Sequence, residues 1–136
     1  IGPATMKGYA IEADVRATRA GRRMGDVGLM NHGYTLDMQG VHQNLQIRSW
    51  AAELAFSKDL PFVVESDVWY RMKLVVEPAS GKTTVRGKVW KRGEPEPSAW
   101  TIEFEDPVEM PFGAPGLYGD SSTDIAWDNL KVTSNR

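Results

Sequence analysis

Short stretches of this chain alternate between apolar and polar residues, and each ends at Gly, Pro, Asn or Asp. That period of two, with helical periodicity hard to find, predicts an all-β protein. In residues 9–19, Ile11, Ala13, Val15 and Ala17 take one face. Glu12, Asp14, Arg16 and Thr18 take the other, as a pleated strand with core on one side requires. Residues 27–30 and 34–39 flank Asn31-His32-Gly33, a connection whose Asn and Gly tolerate positive φ, so they read as a hairpin. Its second arm points Tyr34, Leu36 and Met38 inward and Thr35, Asp37 and Gln39 outward. Alternation returns at 45–50 and, less regularly, around Leu54-Ala55-Phe56 and Phe62-Val63-Val64.

Residues 69–77 place Tyr70, Met72, Leu74 and Val76 on the inner phase, turn through 78–81, and return along 83–91 with Val85, Gly87 and Val89 facing the same core. The stretch 92–98 is a loop, because Pro95 and Pro97 cannot supply ladder donors. Trp100, Ile102 and Phe104 share the inner phase of the next strand, and 116–119 form a short one after a Pro- and Gly-punctuated excursion over 106–115. In the closing strand, 125–133, Ile125 and Trp127 have one parity and Leu130 and Val132 the other, which predicts a β-bulge near Asp128-Asn129. About nine to eleven short strands at this spacing predict one two-layer antiparallel β-sandwich over residues 1–136, without crossover helices.

Composition narrows the chemistry. With 16 Lys and Arg against 18 Asp and Glu, the net charge of −2 offers no global basic field for nucleic acid. The absence of cysteine removes disulfides, thiolate metal sites and cysteine nucleophiles. No apolar run approaches the roughly 18 to 20 residues of a membrane helix. The opening Ile1-Gly2-Pro3-Ala4-Thr5 lacks an initiating Met and is expected to derive from a longer precursor. No Gly-rich phosphate loop and no Gly-x-Ser-x-Gly elbow occurs.

Three stretches, YAIEADVR at 9–16, VWYRMKLV at 68–75 and DNLKV at 128–132, resemble laminin-G-like domains of the concanavalin A-like lectin and glucanase superfamily. GDVG at 25–28, RGKVW at 86–90 and EPEPSAWTI at 94–102 are similar to the C-terminal jelly-roll module of bacterial PQQ-binding-like β-propeller proteins. The resemblance implies a non-catalytic carbohydrate-binding or accessory module, periplasmic or extracellular, partnered by a carbohydrate or by a neighbouring propeller on which it docks as a structural domain. A jelly-roll family described as keto-disaccharide hydrolases shares the closing strand and implies a glycoside hydrolase instead. Neither family supplies a catalytic motif that transfers to these positions.

The candidate ligand surface lies opposite the core: Arg48, Trp50, Arg71, Arg86, Lys88, Trp90, Asp37 and Gln39 all project to one or other outer face. An aromatic ring stacks on the apolar side of a pyranose while fixed polar groups bond its hydroxyls. The competing reading is a solvated sheet with Trp covering a strand end or docking on a neighbour. Trp69, Trp100 and Trp127 read as core or core rim.

Glu103 and Glu105, followed by Asp106, share a face roughly 6.5 to 7 Å apart along a strand, against the about 5 to 5.5 Å of retaining glycosidases. They depart from the Glu-x-Asp-x-(x)-Glu pattern of the related laminarinase-type enzymes. His32 and His42 sit singly in exposed turns, without the partners zinc needs. Calcium is the metal the loops allow, with Asp120, Asp124 and Asp128 as its candidate ligands, although a spacing of four on extended chain does not itself converge oxygens.

Overall fold

The computed structural model describes residues 8–50, 57–110 and 113–135, in which strands and turns occur and no helix does. In chain order the strands are β1 (Tyr9–Ala17), β2 (Arg19–Ala20), β3 (Arg23–Met24), β4 (Asp26–Asn31), β5 (Tyr34–Gln39) and β6 (Asn44–Ser49). They continue with β7 (Ser57–Pro61), β8 (Tyr70–Ala79), β9 (Lys82–Lys91), β10 (Ile102–Asp106), β11 (Gly116–Asp120) and β12 (Ile125–Ser134). A first five-stranded sheet runs β10-β9-β8-β1-β12, a second runs β11-β4-β5-β6-β7, and β2-β3 is a two-stranded ribbon. The pairings are antiparallel throughout.

The inner faces are those the alternation predicts. Ile11, Ala13 and Val15 on β1 and Met72, Leu74 and Val76 on β8 meet Leu29, Tyr34, Leu36, Met38, Leu45 and Ile47 from the second sheet in one core. Each fully buried side chain of this size contributes about 1.5–3 kcal/mol. Gly87 is part of that fit: a Cβ there would lie 2.9 Å from Leu36 Cδ2 of the opposite sheet. The core is closed by a buried polar pair, Tyr34 OH donating to Asp106 Oδ2 at 2.5 Å.

The turns and breaks refine the sequence reading. His32 and Gly33 both take positive φ, 54° and 82°, so the β4–β5 connection is a two-residue turn set by His32 and Gly33, with Asn31 still paired to Tyr34. His32 is buried and not exposed as expected; its Nε2 lies 2.6 Å from Met110 O, and the chain at Gly113 packs against it. The expected strand 9–19 breaks at Thr18, whose N–H donates to Asp124 O and whose hydroxyl donates to Asp67 Oδ1. The strand-like text at 54–56 lies outside the described residues. The bulge forms as the parity change predicts: Glu12 faces Lys131 and Asp14 faces Asp128, so Ala13 alone spans Asn129 and Leu130.

Candidate functional site

Strand register lays out the outer face of the second sheet as three rows. Met30, Thr35, Arg48 and Ser57 form the first; Tyr118, Gly28, Asp37, Gln46 and Asp59 the second; Asp120, Asp26, Gln39, Asn44 and Pro61 the third. Gly28 has no side chain between Tyr118 and Asp37. A Cβ there would fall 1.9 Å from the Leu36 carbonyl oxygen, so the position admits only glycine at this strand spacing.

Arg48 organises this face. Its Nη1 donates to Asp37 Oδ2 at 2.6 Å and to Gln46 Oε1 at 3.0 Å. Its guanidinium lies 4.7 Å from the Tyr118 ring centroid and 5.4 Å from that of Trp50, both within cation–π range. Burial opposes the Arg48 charge, but the hydrogen bond and charge of Asp37 more than offset it, and the net shift is upward. Burial, then the Asp37 charge, pushes the Tyr118 hydroxyl up as well, so it stays protonated as a donor.

Gln46 donates to Asp59 Oδ1 at 2.7 Å, and Asn44 donates to Asp59 at 3.0 Å and to Gln39 Oε1 at 3.1 Å. Gln39 in turn donates to Asp37 Oδ2 at 3.3 Å. Trp50 is 54% exposed, yet it is not loose: its Nε1–H donates to Thr35 Oγ1 and its main-chain N–H to Gly33 O. Asp37 is buried, and its Oδ1 meets no donor among the described residues. The face thus combines an open, fixed indole with a cross-linked set of polar groups arranged around a buried carboxylate.

The other predicted residues sit elsewhere. Arg71, Arg86, Lys88 and Trp90 belong to β8 and β9, on the outer face of the first sheet, so the eight candidates do not form one surface. There Arg71 donates to Glu12 Oε1 at 2.6 Å, to Asp14 Oδ1 at 3.2 Å and to Asn129 O at 2.8 Å. Lys88, itself buried, donates to Glu96 Oε2 at 3.0 Å and lies 4.6 Å from the Trp100 ring. Arg16 and Arg92 both lie over the Trp69 ring, at 4.9 and 4.7 Å from its centroid. Trp69 and Trp100 therefore cover cations on the outside of the sandwich and do not fill the core. Trp127 does reach the core rim, and its Nε1–H donates to Gly28 O.

Glu103 and Glu105 project from the edge strand β10, and both are exposed. The calcium candidates are not assembled: Asp120 is on β11 of the second sheet, whereas Asp128 is on β12 of the first, where its Oδ1 accepts the Asn129 N–H. No group of three His, Asp or Glu suited to a metal occurs among the described residues.

Gln46, Asn44 and Thr35 were within reach of sequence reasoning, since they share the parity of Arg48 or Asp37. Asp59 and Tyr118 were not. They arrive through the β6–β7 and β11–β4 pairings, which no local pattern specifies.

No family model matches the chain, and no curated protein sequence matches it. Solved structures do. Two variants of human galectin-16, one with a single and one with a double substitution, superpose with TM-scores of 0.58 and 0.60 at 12% identity. The first alignment covers 97% of this chain and 91% of that one, the second 98% and 93%. An ancestral congerin aligns at TM-score 0.53 and 9% identity, covering 96% and 94%. The protein is therefore an all-β, two-sheet jelly-roll sandwich with the fold of these galectin and congerin structures.

Proposed function

We propose that this protein is a non-catalytic carbohydrate-binding module whose site is the outer face of the second sheet, centred on Trp50, Arg48 and Asp37. The observation that carries the reading is the state of Trp50: over half exposed, yet fixed by Thr35 at its indole nitrogen and flanked by Arg48. An exposed apolar ring held in one orientation costs little entropy when a sugar stacks on it. Beside it, Gln46, Asn44 and Asp59 supply donors and acceptors at the spacing of successive rows, and the buried Asp37 holds Arg48 in place among them. The likeness of the whole sandwich to proteins that are lectins by name supports the same reading.

The proposal takes its setting from the resemblance of 86–90 and 94–102 to propeller-appended bacterial modules, in the periplasm or outside the cell. The first sheet's outer face, whose Arg71, Arg92 and Lys88 already hold carboxylates, serves as the control surface. Screening the protein on a glycan array, followed by calorimetry on the hits, tests the reading with Trp50→Ala beside Trp90→Ala. Binding should fall at least roughly tenfold in the first variant, the loss of about 1.4 kcal/mol of stacking, and stay unchanged in the second. Equal affinity of Trp50→Ala and wild type would remove the site.

A further inference from the structure

The third row of the face, where Asp120, Asp26 and Gln39 pair, borders a cleft of about 380 Å³. Asp26 and Asp120 come to it from β4 and β11, and Arg22, Arg23 and His42 from the β2–β3 ribbon and the loop after β5. Arg48, Arg71 and Arg92 each hold a carboxylate. Arg22 and Arg23 are exposed and form no ion pair among the described residues, although two carboxylates line the same cleft. Asp26 instead accepts the Gly40 N–H on Oδ1 at 3.2 Å.

The ribbon that carries the two arginines is anchored. Arg19 N–H donates to Ser66 Oγ at 2.8 Å, Arg19 Nη2 donates to Gly40 O at 3.4 Å, and Gly21 turns the chain at a φ of 63°. Two arginines adjacent in sequence are thus carried into the cleft on a positioned backbone, with no hydrogen bond from either guanidinium among the described residues. Planar forks of this kind match the oxygens of a carboxylate or a sulfate. Asp26 and Asp120 line the same cleft, and neither forms an ion pair with Arg22 or Arg23 among the described residues.

Resting on the proposed function, we propose that this cleft is a second subsite, which takes an oxyanion substituent, a sulfate ester or a carboxylate, carried by the saccharide that lies on the Trp50 face. The geometry is continuous: Gln39, which bonds Asp37, is also the register partner of Asp26 at the cleft. Asp37 and Gln39 are successive same-face residues about 7 Å apart, so the cleft opens one step along the strand from the central carboxylate.

The test compares one oligosaccharide backbone in neutral, sulfated and uronate forms, by calorimetry at low and high salt, on wild type and on Arg22→Ala/Arg23→Ala. A charged form should bind roughly tenfold tighter than the neutral one, a gain that salt weakens. The double variant should bring the ratio of charged to neutral affinity to about one. Whether sulfate or uronate shows the gain identifies which oxyanion the cleft takes. Equal or weaker binding of both charged forms by wild type, or a preference that survives in the double variant, overturns the subsite. If the neutral form binds in a Trp50-dependent way without any charge preference, the subsite falls and the carbohydrate reading stands. If no form binds, both fall.

Discussion

Asn129 and Asp14, 115 positions apart, are joined by a 2.6 Å hydrogen bond from Asn129 Nδ2 to Asp14 Oδ2, and the bond sits at the bulge between β12 and β1. Asn129 occupies the left-handed region at a φ of 52°, where a Cβ is unfavourable unless the side chain compensates. Arg71 donates to the Asn129 carbonyl and to Asp14 Oδ1, so one cation and one carboxylate hold both halves of the bulge. Asn129→Ala should lose about 1–2 kcal/mol to backbone strain and about 1 kcal/mol more to the missing hydrogen bond. Asn129→Gly should lose only the latter. Urea unfolding of the two variants checks this; equal losses would mean that the backbone conformation carries no cost here.

Tyr34 and Asp106 give a prediction with a pH signature. Burial, then the hydrogen bond to Asp106, raises the Tyr34 hydroxyl well above its usual 10.0. A folded-state pKa above the unfolded value stabilises the protein fully below that unfolded value, and the gain is lost as pH climbs through the folded one. Stability should therefore fall as pH rises past 10, with part of the slope due to Tyr34. Tyr34→Phe leaves Asp106 Oδ2 buried without its donor and should cost about 1–3 kcal/mol at neutral pH. It should also flatten the alkaline limb of a stability profile, although Tyr70 and Tyr118, raised likewise by burial, keep some slope. An unchanged alkaline limb in Tyr34→Phe would show that Tyr34 ionises as freely folded as unfolded.

The fold was legible because the alternation is strict where both layers demand it. Ile11, Ala13 and Val15, or Tyr34, Leu36 and Met38, cannot shift by one residue without exposing a whole face. The bulge was legible for the same reason, since a parity change within one strand has few other causes. What alternation does not carry is sheet membership. Arg48 and Arg86 look alike along the chain, each on an outward phase that ends in a tryptophan, yet β6 and β9 lie in different sheets, so only Arg48 joins Asp37. Burial of turn residues was equally hidden: His32 is covered by Met110 and Gly113, nearly eighty residues later. Trp69 and Trp100 misled because an aromatic stacked on arginine or lysine has the same local sequence as one that fills a core.

Arg48 should separate stability from recognition. Arg48→Met keeps the aliphatic stem under Trp50 and Tyr118 but leaves the buried Asp37 without its cation, at a cost of about 1–3 kcal/mol or more. In the double variant Arg48→Met/Asp37→Asn no charge is left stranded, so much of that stability should return. Glycan binding should not return with it, because the guanidinium that flanks the Trp50 ring is gone. Thermal unfolding and calorimetry on the same samples distinguish the two effects. Binding that recovers in step with stability would mean that the pair serves the fold alone.

Asp26 supplies the converse case, a residue whose charge works against the fold. Burial, then the neighbouring charge of Asp37, raises its carboxyl above the usual value, and Asp120 adds to the repulsion. By linkage, the protonated form is favoured in the folded state, so the stabilisation exists at low pH and disappears as pH rises through the folded pKa. At neutral pH the ionised carboxylate is a net burden. Asp26→Asn keeps an oxygen to accept the Gly40 N–H while removing the charge, and it should raise stability at pH 7 by less than about 1 kcal/mol, because the site is only partly screened from water. Below the carboxylate range the variant and wild type should converge. Unfolding curves at acid and neutral pH decide it: a variant that is less stable at neutral pH would show that the Asp26 charge finds compensation in the cleft, where His42 is the nearby group that favours it.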